Sequence, residues 1–431
     1  MDKETLKKIV ISQAQNEMAL PKPLIAREAY EYLERFIDIP QVIILSGVRR
    51  CGKSTWMKMI REHASESDYY LNFDDERLAF FQLDDCQRLV EVFIELYGVQ
   101  KTFYFDEIQS LNGWERFVRR LHNEEKKVFI TGSNTDLLSR QFGTHLTGRN
   151  IALHLFPYSF REYIQKQNES LLKEKHLGGT KIAVIKKYFA EFRVLGGFPE
   201  YLRHGRKEYL QELYENILYK DVIICNSISD PNAIKNLAYY LASNNTKEFT
   251  YNSLRKLFNI TGNNTVSQYC HYLADSFLCF IVERFAYSLK TQTFSPKKIY
   301  FIDQALAECV GFRMSEDRGR VLENIVFLQL LRKNYEVYYH KEKKECDFVT
   351  RDGFYVGHAI QVCESLQDAK TKKREIAGLV DALHTYNLKE GFLITDDELG
   401  EEEITYENKT YKIKICPAWK WLLDDLMPSR F

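Results

Sequence analysis

From residue 41 onward the chain alternates short apolar runs with stretches whose apolar residues recur every three or four positions. Val42–Leu45, Tyr69–Phe73, Thr102–Phe105 and Val128–Thr131 read as buried strands, and the stretches from Lys53, over 84–97 and over 114–123 read as helices. That alternation predicts a parallel sheet covered by helices. Ahead of it, residues 1–40 predict a helical lead-in, broken by Pro21 and Pro23 before the amphipathic stretch Ala26–Phe36. Past residue 156 the strand-like runs stop, and 158–240 reads as helical around the turn Gly196-Gly-Phe-Pro-Glu200. Two helices joined at Thr261-Gly-Asn-Asn264, followed by strand-like Phe280–Phe285 and Lys298–Asp303, suggest a winged helix. A helix over Gly319–Lys333, strands over Glu336–His340, Asp347–Thr350, Ala359–Cys363 and Gly391–Thr395, and a helix over 368–386 suggest a smaller α/β unit. The expected division is an α/β domain with its lead-in at 1–157, a helical lid or bridging region at 158–240, a winged helix at 241–305 and a second α/β unit at 306–431. A length of 431 residues suits such a division.

Composition narrows the class. The chain is 45% hydrophobic and 28% charged, as an ordinary globular protein is, and 60 basic side chains cancel 60 acidic ones. No global field draws it to nucleic acid or an anionic membrane, so any such contact has to be local. Nine cysteines stand singly, without a CxxC pair or zinc-ligand spacing, which fits reduced thiols in a cytoplasmic protein. No uncharged run approaches a bilayer span, and the N-terminus lacks the apolar core of an export signal.

Gly47-Val-Arg-Arg-Cys-Gly-Lys-Ser54 fits G-x-x-x-x-G-K-[ST] at each fixed position, between an apolar strand and a helix. The glycines let the backbone N–H groups of Gly47, Val48, Arg49, Arg50, Cys51, Gly52, Lys53, Ser54 and Thr55 turn toward phosphates at a helix N-terminus. Lys53 is placed to reach the β- and γ-phosphates of ATP, Ser54 to ligate Mg²⁺, and Arg49 and Arg50 are further candidates for phosphate contact. The lead-in Ala26–Phe36 is expected to flank the nucleotide base. Thr102-Phe-Tyr-Phe-Asp-Glu107 is an apolar strand ending in two carboxylates. Asp106 suits Mg²⁺, and Glu107 suits a catalytic base that polarises water for in-line attack. Val128–Asn134 is a further strand ending in polar residues, where Asn134 or Ser133 could sense the γ-phosphate or merely begin a loop. Leu146-Thr-Gly-Arg149 offers an arginine finger, from a neighbouring subunit or in cis after closure, or an ordinary surface arginine.

These residues, with Phe105-Asp-Glu-Ile-Gln109, Trp114, Thr131-Gly-Ser-Asn134, Gly196–Glu200, Lys298–Asp303 and Gly319–Asn324, resemble the prokaryotic AAA+-like ATPases that carry an uncharacterised C-terminal domain. The resemblance covers nearly the whole chain. It implies an additional-strand P-loop sheet, a winged helix and a C-terminal module similar to the restriction-endonuclease-like fold, and it supplies the preference for ATP. A nuclease of that fold holds metal with carboxylates and carries E-x-K or Q-x-K on its second strand. Here Glu323, Asp347 and Gln361 match the pattern, but Cys363 stands at the lysine position, so no ammonium is expected and cleavage is disfavoured.

Asn263, Asn264, Gln268, Tyr269 and His271 give the expected helix Thr265–Asp275 a polar face suited to adenine edges. Its phosphate contacts would have to come from Arg255, Lys256, Lys290, Lys297 and Lys298. Packing or homo-oligomer contact explains the same residues. The run Lys370–Arg374 reads as a solvated helix face. The expectation is Mg²⁺-dependent ATP hydrolysis that switches or remodels a partner, DNA among the candidates; the alternative is a nucleic-acid-binding nucleotide sensor with negligible turnover.

Overall fold

The computed structural model describes residues 1–18, 24–37, 39–64, 69–132, 149–173, 178–312, 317–424 and 426–427. The chain forms two compact units, Met1–Phe156 with Asp275–Phe277, and Pro157–Ala274 with Leu278–Phe431.

The first unit is built on a five-stranded, wholly parallel sheet of β1 (Val42–Ser46), β2 (Tyr69–Asn72), β3 (Thr102–Asp106), β4 (Lys127–Gly132) and β5 (Asn150–His154), in the order β2-β3-β4-β1-β5. β1 is buried along its whole length, as a strand covered on both faces must be, hence its unbroken Val-Ile-Ile-Leu. β4 separates β3 from β1 and pairs with both. The strand β5 is too short and too mixed, Asn-Ile-Ala-Leu-His, to stand out in the pattern. Among the described residues its α-helices are α1 (Lys3–Met18), α2 (Ala29–Leu33), α3 (Lys53–Glu62), α4 (Cys86–Tyr97) and α5 (Trp114–Asn123).

Helical spacing puts Cys86, Leu89, Val92 and Phe93 on the buried face of α4, where Phe93 stacks on Tyr69 of β2 with ring centroids 4.9 Å apart. Phe73, Phe103, Phe105 and Phe117 extend this aromatic layer. From the lead-in, α1 adds Leu6, Ile9 and Val10 to the same core, each stabilising by at most about 1.5–3 kcal/mol. It also closes the sheet edge: the Gln13 side chain donates to the Asn72 carbonyl (3.0 Å) and accepts from its N–H (2.8 Å). An edge strand otherwise leaves those groups open to another chain.

The second unit begins with helices, including Phe160–Asn168, Gly179–Leu195 and Pro231–Ser243. The helices Tyr251–Phe258 and Asn263–Asp275 follow, with a three-stranded antiparallel sheet of β6 (Glu248–Phe249), β7 (Cys279–Glu283) and β8 (Lys297–Phe301). The rest is a six-stranded mixed sheet with the order β13-β14-β12-β11-β10-β9. Its strands are β9 (Glu336–Lys341), β10 (Glu345–Asp352), β11 (Tyr355–Val362), β12 (Glu390–Thr395), β13 (Gly400–Tyr406) and β14 (Lys409–Pro417). The helices Arg318–Arg332 and Ala369–Thr385 accompany it. The whole is therefore α/β, a parallel sheet followed by helices and a further sheet.

Two sequence motifs meet inside the second unit. Asp303 caps the helix Gln304–Val310 by accepting from the Leu306 N–H (3.0 Å), and its other oxygen accepts from the N–H of Gly197 (2.7 Å). The Gly197 carbonyl accepts from the Tyr158 N–H at 2.7 Å. Burial pushes the Asp303 carboxyl up to about 6, against the pull of the backbone donors. A folded-state value above the unfolded one means the folded chain binds the extra proton between about 3.8 and 6. Its stabilising contribution is therefore complete below that window and lost as pH rises through 6. Between pH 4 and 6.5 the wild type should lose roughly 2–3 kcal/mol relative to Asp303→Asn, read from urea midpoints of the second unit. A constant difference would refute the assignment.

Candidate functional site

Because the strands of the first unit run parallel, β1, β3 and β4 deliver their last residues to one edge of the sheet. Ser46 leads into Gly47 there, Asp106 into Glu107, and Thr131 lies one residue before the end of β4. Gly47 has φ 151°, Arg50 φ 65° and Gly52 φ 104°, so the loop curls before Lys53 opens α3. A Cβ on Gly47 would stand 2.1 Å from the Leu155 carbonyl oxygen, so only glycine fits. Val48 and Cys51 are buried, and burial raises the Cys51 thiol, making it an inert packing residue. Arg49, Arg50, Ser54 and Thr55 remain partly or fully exposed. Lys53 is buried, and its ammonium donates to the carbonyls of Gly47 (3.0 Å) and Val48 (3.2 Å).

Asp106 is fully buried. Its Oδ1 accepts from the Thr131 hydroxyl and its Oδ2 from the Tyr70 hydroxyl at 3.4 Å. Burial, and then the neighbouring charge of Glu107, raises this carboxyl, while Thr131, Ser54 and Lys53 pull it down. The Thr131 Oγ1 also accepts from the backbone N–H of Glu107 at 2.9 Å. One hydroxyl thus ties both carboxylate residues to β4. Glu107 sits in the left-handed region at φ 48°, ψ 45°, and the Gln109 amide donates to its Oε2. A non-glycine residue held there marks backbone strain at the tip of β3.

One support was invisible in the motif pattern. Arg27, in the lead-in, is buried and donates through one nitrogen to the Cys51 carbonyl (3.0 Å) and through the other to the Phe156 carbonyl. It braces the loop from behind. The lead-in stretch is also less helical than expected, with α2 covering only Ala29–Leu33 before a short 3₁₀ turn.

Asn134 and Ser133 lie outside the described residues. Arg149 is described, and the structure does not bring it to the loop. It immediately precedes β5, its carbonyl accepts from the Val42 N–H, and its guanidinium donates to Asn123 (2.9 Å). It therefore lies at the opposite edge of the sheet, a strand length of roughly 16 Å away. In this arrangement Arg149 does not reach the loop within its own chain.

For Mg²⁺ the donor set is a buried carboxylate, Asp106, with the Ser54 hydroxyl in hydrogen-bonding reach of it. Hard oxygen donors of this kind suit Mg²⁺, which relies on one or two carboxylates and substrate phosphates. Among the described residues no group of three or more His, Cys, Asp or Glu side chains could hold a metal.

The second cluster of interest corrects two expectations. An ammonium does reach the Glu323 and Asp347 carboxylates, but from Lys298 of β8. Its Nζ lies 2.9 Å from Glu345, 3.2 Å from Asp347 and 3.4 Å from Glu323. The other Asp347 oxygen accepts from the Gln361 amide (2.8 Å) and the Val362 N–H (3.0 Å). Burial lifts the Glu323 carboxyl above its usual range, the Lys298 ammonium pulls it back down and the Asp347 charge adds to the rise. Lys297 and Lys298, expected at DNA phosphates, are instead buried and paired inside the protein, Lys297 with Glu283 at 3.2 Å. Tyr269 is buried too, whereas Asn263, Asn264, Gln268 and His271 are exposed. Cys363 packs with its thiol raised to about 11 and its Sγ donating to the Ser365 carbonyl.

Residues 40–164 match the family described as an AAA domain, and residues 186–317 match a domain of unknown function. The stretch that matches the AAA domain holds the Gly47–Ser54 loop and the Asp106–Glu107 pair. The chain is 34% identical over 430 residues to the uncharacterized protein MJ1544 of Methanocaldococcus jannaschii, covering 94% of each, and it belongs to that protein's family. An uncharacterized protein of Haemophilus influenzae is 28% identical over 372 residues, covering 81% of this chain and 90% of its own. Among solved structures, the Thermotoga maritima RuvB Holliday junction branch migration motor aligns over 58% of this chain and 85% of its own. Its identity is 14% and its TM-score 0.29, too weak to bear on function. No helix among the described residues is long and apolar enough to cross a membrane.

Proposed function

We propose that the chain is a Mg²⁺-dependent ATPase whose turnover drives a conformational switch. The observation that carries this reading is the meeting of the Gly47–Ser54 loop with the Asp106–Thr131–Glu107 relay at one sheet edge. Lys53 would leave the Gly47 and Val48 carbonyls for the β- and γ-phosphates, exchanging neutral acceptors for charged ones. The loop N–H groups cradle the phosphates, and Ser54 with Asp106 would hold the cation, which screens the phosphate charge. Glu107, steadied by Gln109, takes the proton of the attacking water. Arg149 would serve as a finger either from a neighbouring subunit in a homo-oligomer or in cis after closure.

Support for a winged helix is the arrangement of Tyr251–Phe258, Asn263–Asp275 and the β6–β8 sheet, and for a restriction-endonuclease-like module the β9–β14 sheet with Glu323, Asp347 and Gln361. In that module the Lys298 ammonium already sits among the carboxylates of Glu323, Glu345 and Asp347, which argues against cation-dependent cleavage. DNA is the partner to test first, through the exposed amides of Asn263, Asn264 and Gln268. The deciding measurement is ATP binding and turnover with Mg²⁺, with and without duplex DNA, beside Lys53→Ala. Wild-type turnover should fall at least roughly a hundredfold in the variant, with weakened nucleotide binding. Equal turnover in both would sink the assignment, and binding without wild-type turnover would favour a nucleotide sensor.

A further inference from the structure

The helix Ala369–Thr385 packs on the six-stranded sheet, and beside it opens a groove of about 530 Å³. Its floor is apolar, from Ile376, Ala377 and Val380 on the helix and Ile404 and Tyr406 on β13. Ile376, Ile404 and Tyr406 are only half buried, although they pack against the core below. A purely solvated helix face would place polar side chains here. Around the floor stand four lysines: Lys343 and Lys344 from the β9–β10 turn, and Lys372 and Lys373 from the helix.

The rim charges differ in how they are used. Lys372 pairs with Glu402, and Lys343 lies 3.5 Å from Glu407. Lys344 and Lys373 are exposed and have no ion pair among the described residues. The β9–β10 turn is fixed from beneath, because buried Asp381 accepts from the N–H groups of Lys343 (3.1 Å) and Lys344 (2.8 Å). The backbone under Lys344 is therefore held by Asp381 and that under Lys373 by its helix, so both lysines stand beside the apolar trough before anything binds, which lowers the ordering cost of binding.

We propose that this groove docks an acidic amphipathic segment of a protein partner, with apolar side chains on the floor and carboxylates at Lys344 and Lys373. Charge complementarity selects the occupant. Nucleic acid fits less well, since Glu402 and Glu407 flank the rim and the floor is largely aliphatic. A flat anionic lipid surface meets the same carboxylates and cannot follow a concave floor.

The test selects short random peptides displayed on phage against the full chain, then measures each enriched synthetic peptide by fluorescence anisotropy. It compares wild type with the double surface variant Lys344→Glu/Lys373→Glu, and includes phosphatidylglycerol vesicles as a separate probe. Expected are peptides rich in Asp and Glu around two or more apolar residues. Their affinity should fall at least about tenfold in the double variant and weaken with added salt, and versions with lysine in place of the acids should not bind. A second variant, Ala377→Gln, should weaken the same peptides while leaving thermal unfolding unchanged. Enriched peptides that are not acidic, binding unchanged by the double variant, no enrichment at all, or charge-dependent binding of the vesicles alone would each overturn the proposal.

Discussion

Glu107→Gln should lower ATP turnover by roughly 10²–10⁴-fold while nucleotide binding survives. The substitution keeps shape and volume but removes the carboxylate's capacity to take a proton, and it leaves the Thr131 link to the backbone N–H in place. Turnover within tenfold of wild type would mean that the base lies elsewhere. A second variant separates chemistry from strain. At φ 48° a glutamate side chain costs about 1–2 kcal/mol that glycine does not incur. Glu107→Gly should therefore be as inactive as Glu107→Gln, yet the first unit should unfold at a higher denaturant concentration than in Glu107→Gln. Both values come from one set of urea titrations beside a coupled phosphate-release assay.

Gly197→Ala should destabilise the second unit by about 3 kcal/mol or more. The added Cβ would lie 2.3 Å from the Tyr158 carbonyl oxygen and 2.9 Å from its nitrogen, and because these are backbone atoms no flexible side chain can yield. The hydrogen bond from the Tyr158 N–H to the Gly197 carbonyl would open, and with it the contact of Asp303 to the Gly197 N–H. Gly205→Ala is the matched control, since its φ is 65° but no heavy atom lies within 4 Å of the new Cβ. It should cost only about 1 kcal/mol, from backbone strain alone. Equal losses in the two variants would show that the close approach at Gly197 does not govern stability.

The parallel sheet was legible because its central strands are buried on both faces and so read as unbroken apolar runs between turn-prone residues. The loop and the Asp106–Glu107 pair were legible because their spacing is local. Arg27 was not, since a buried arginine that braces carbonyls 24 and 129 residues away leaves no periodic trace. Lys298 escaped for the same reason: its partners lie on Glu323, Glu345 and Asp347, and sequence spacing alone made it a surface cation. The β13–β14 hairpin was overlooked because β13 is an edge strand. Its Glu401 pairs with Lys412 at 2.8 Å in solvent, so it lacks an apolar alternation. Arg149 immediately precedes β5, which runs parallel to β1, so strand direction placed it at the edge away from the loop.

The recognisable AAA segment starts at residue 40, but the parts that make it self-sufficient do not. A fragment trimmed to 40–164 would lose Leu6, Ile9 and Val10, baring the aromatic layer they cover, and would leave the Asn72 peptide group open on the outermost strand. It would also lose the guanidinium that pins Cys51. Such a truncation should come out of cells as an aggregating, nucleotide-blind product, whereas one beginning at Met1 should stay dispersed.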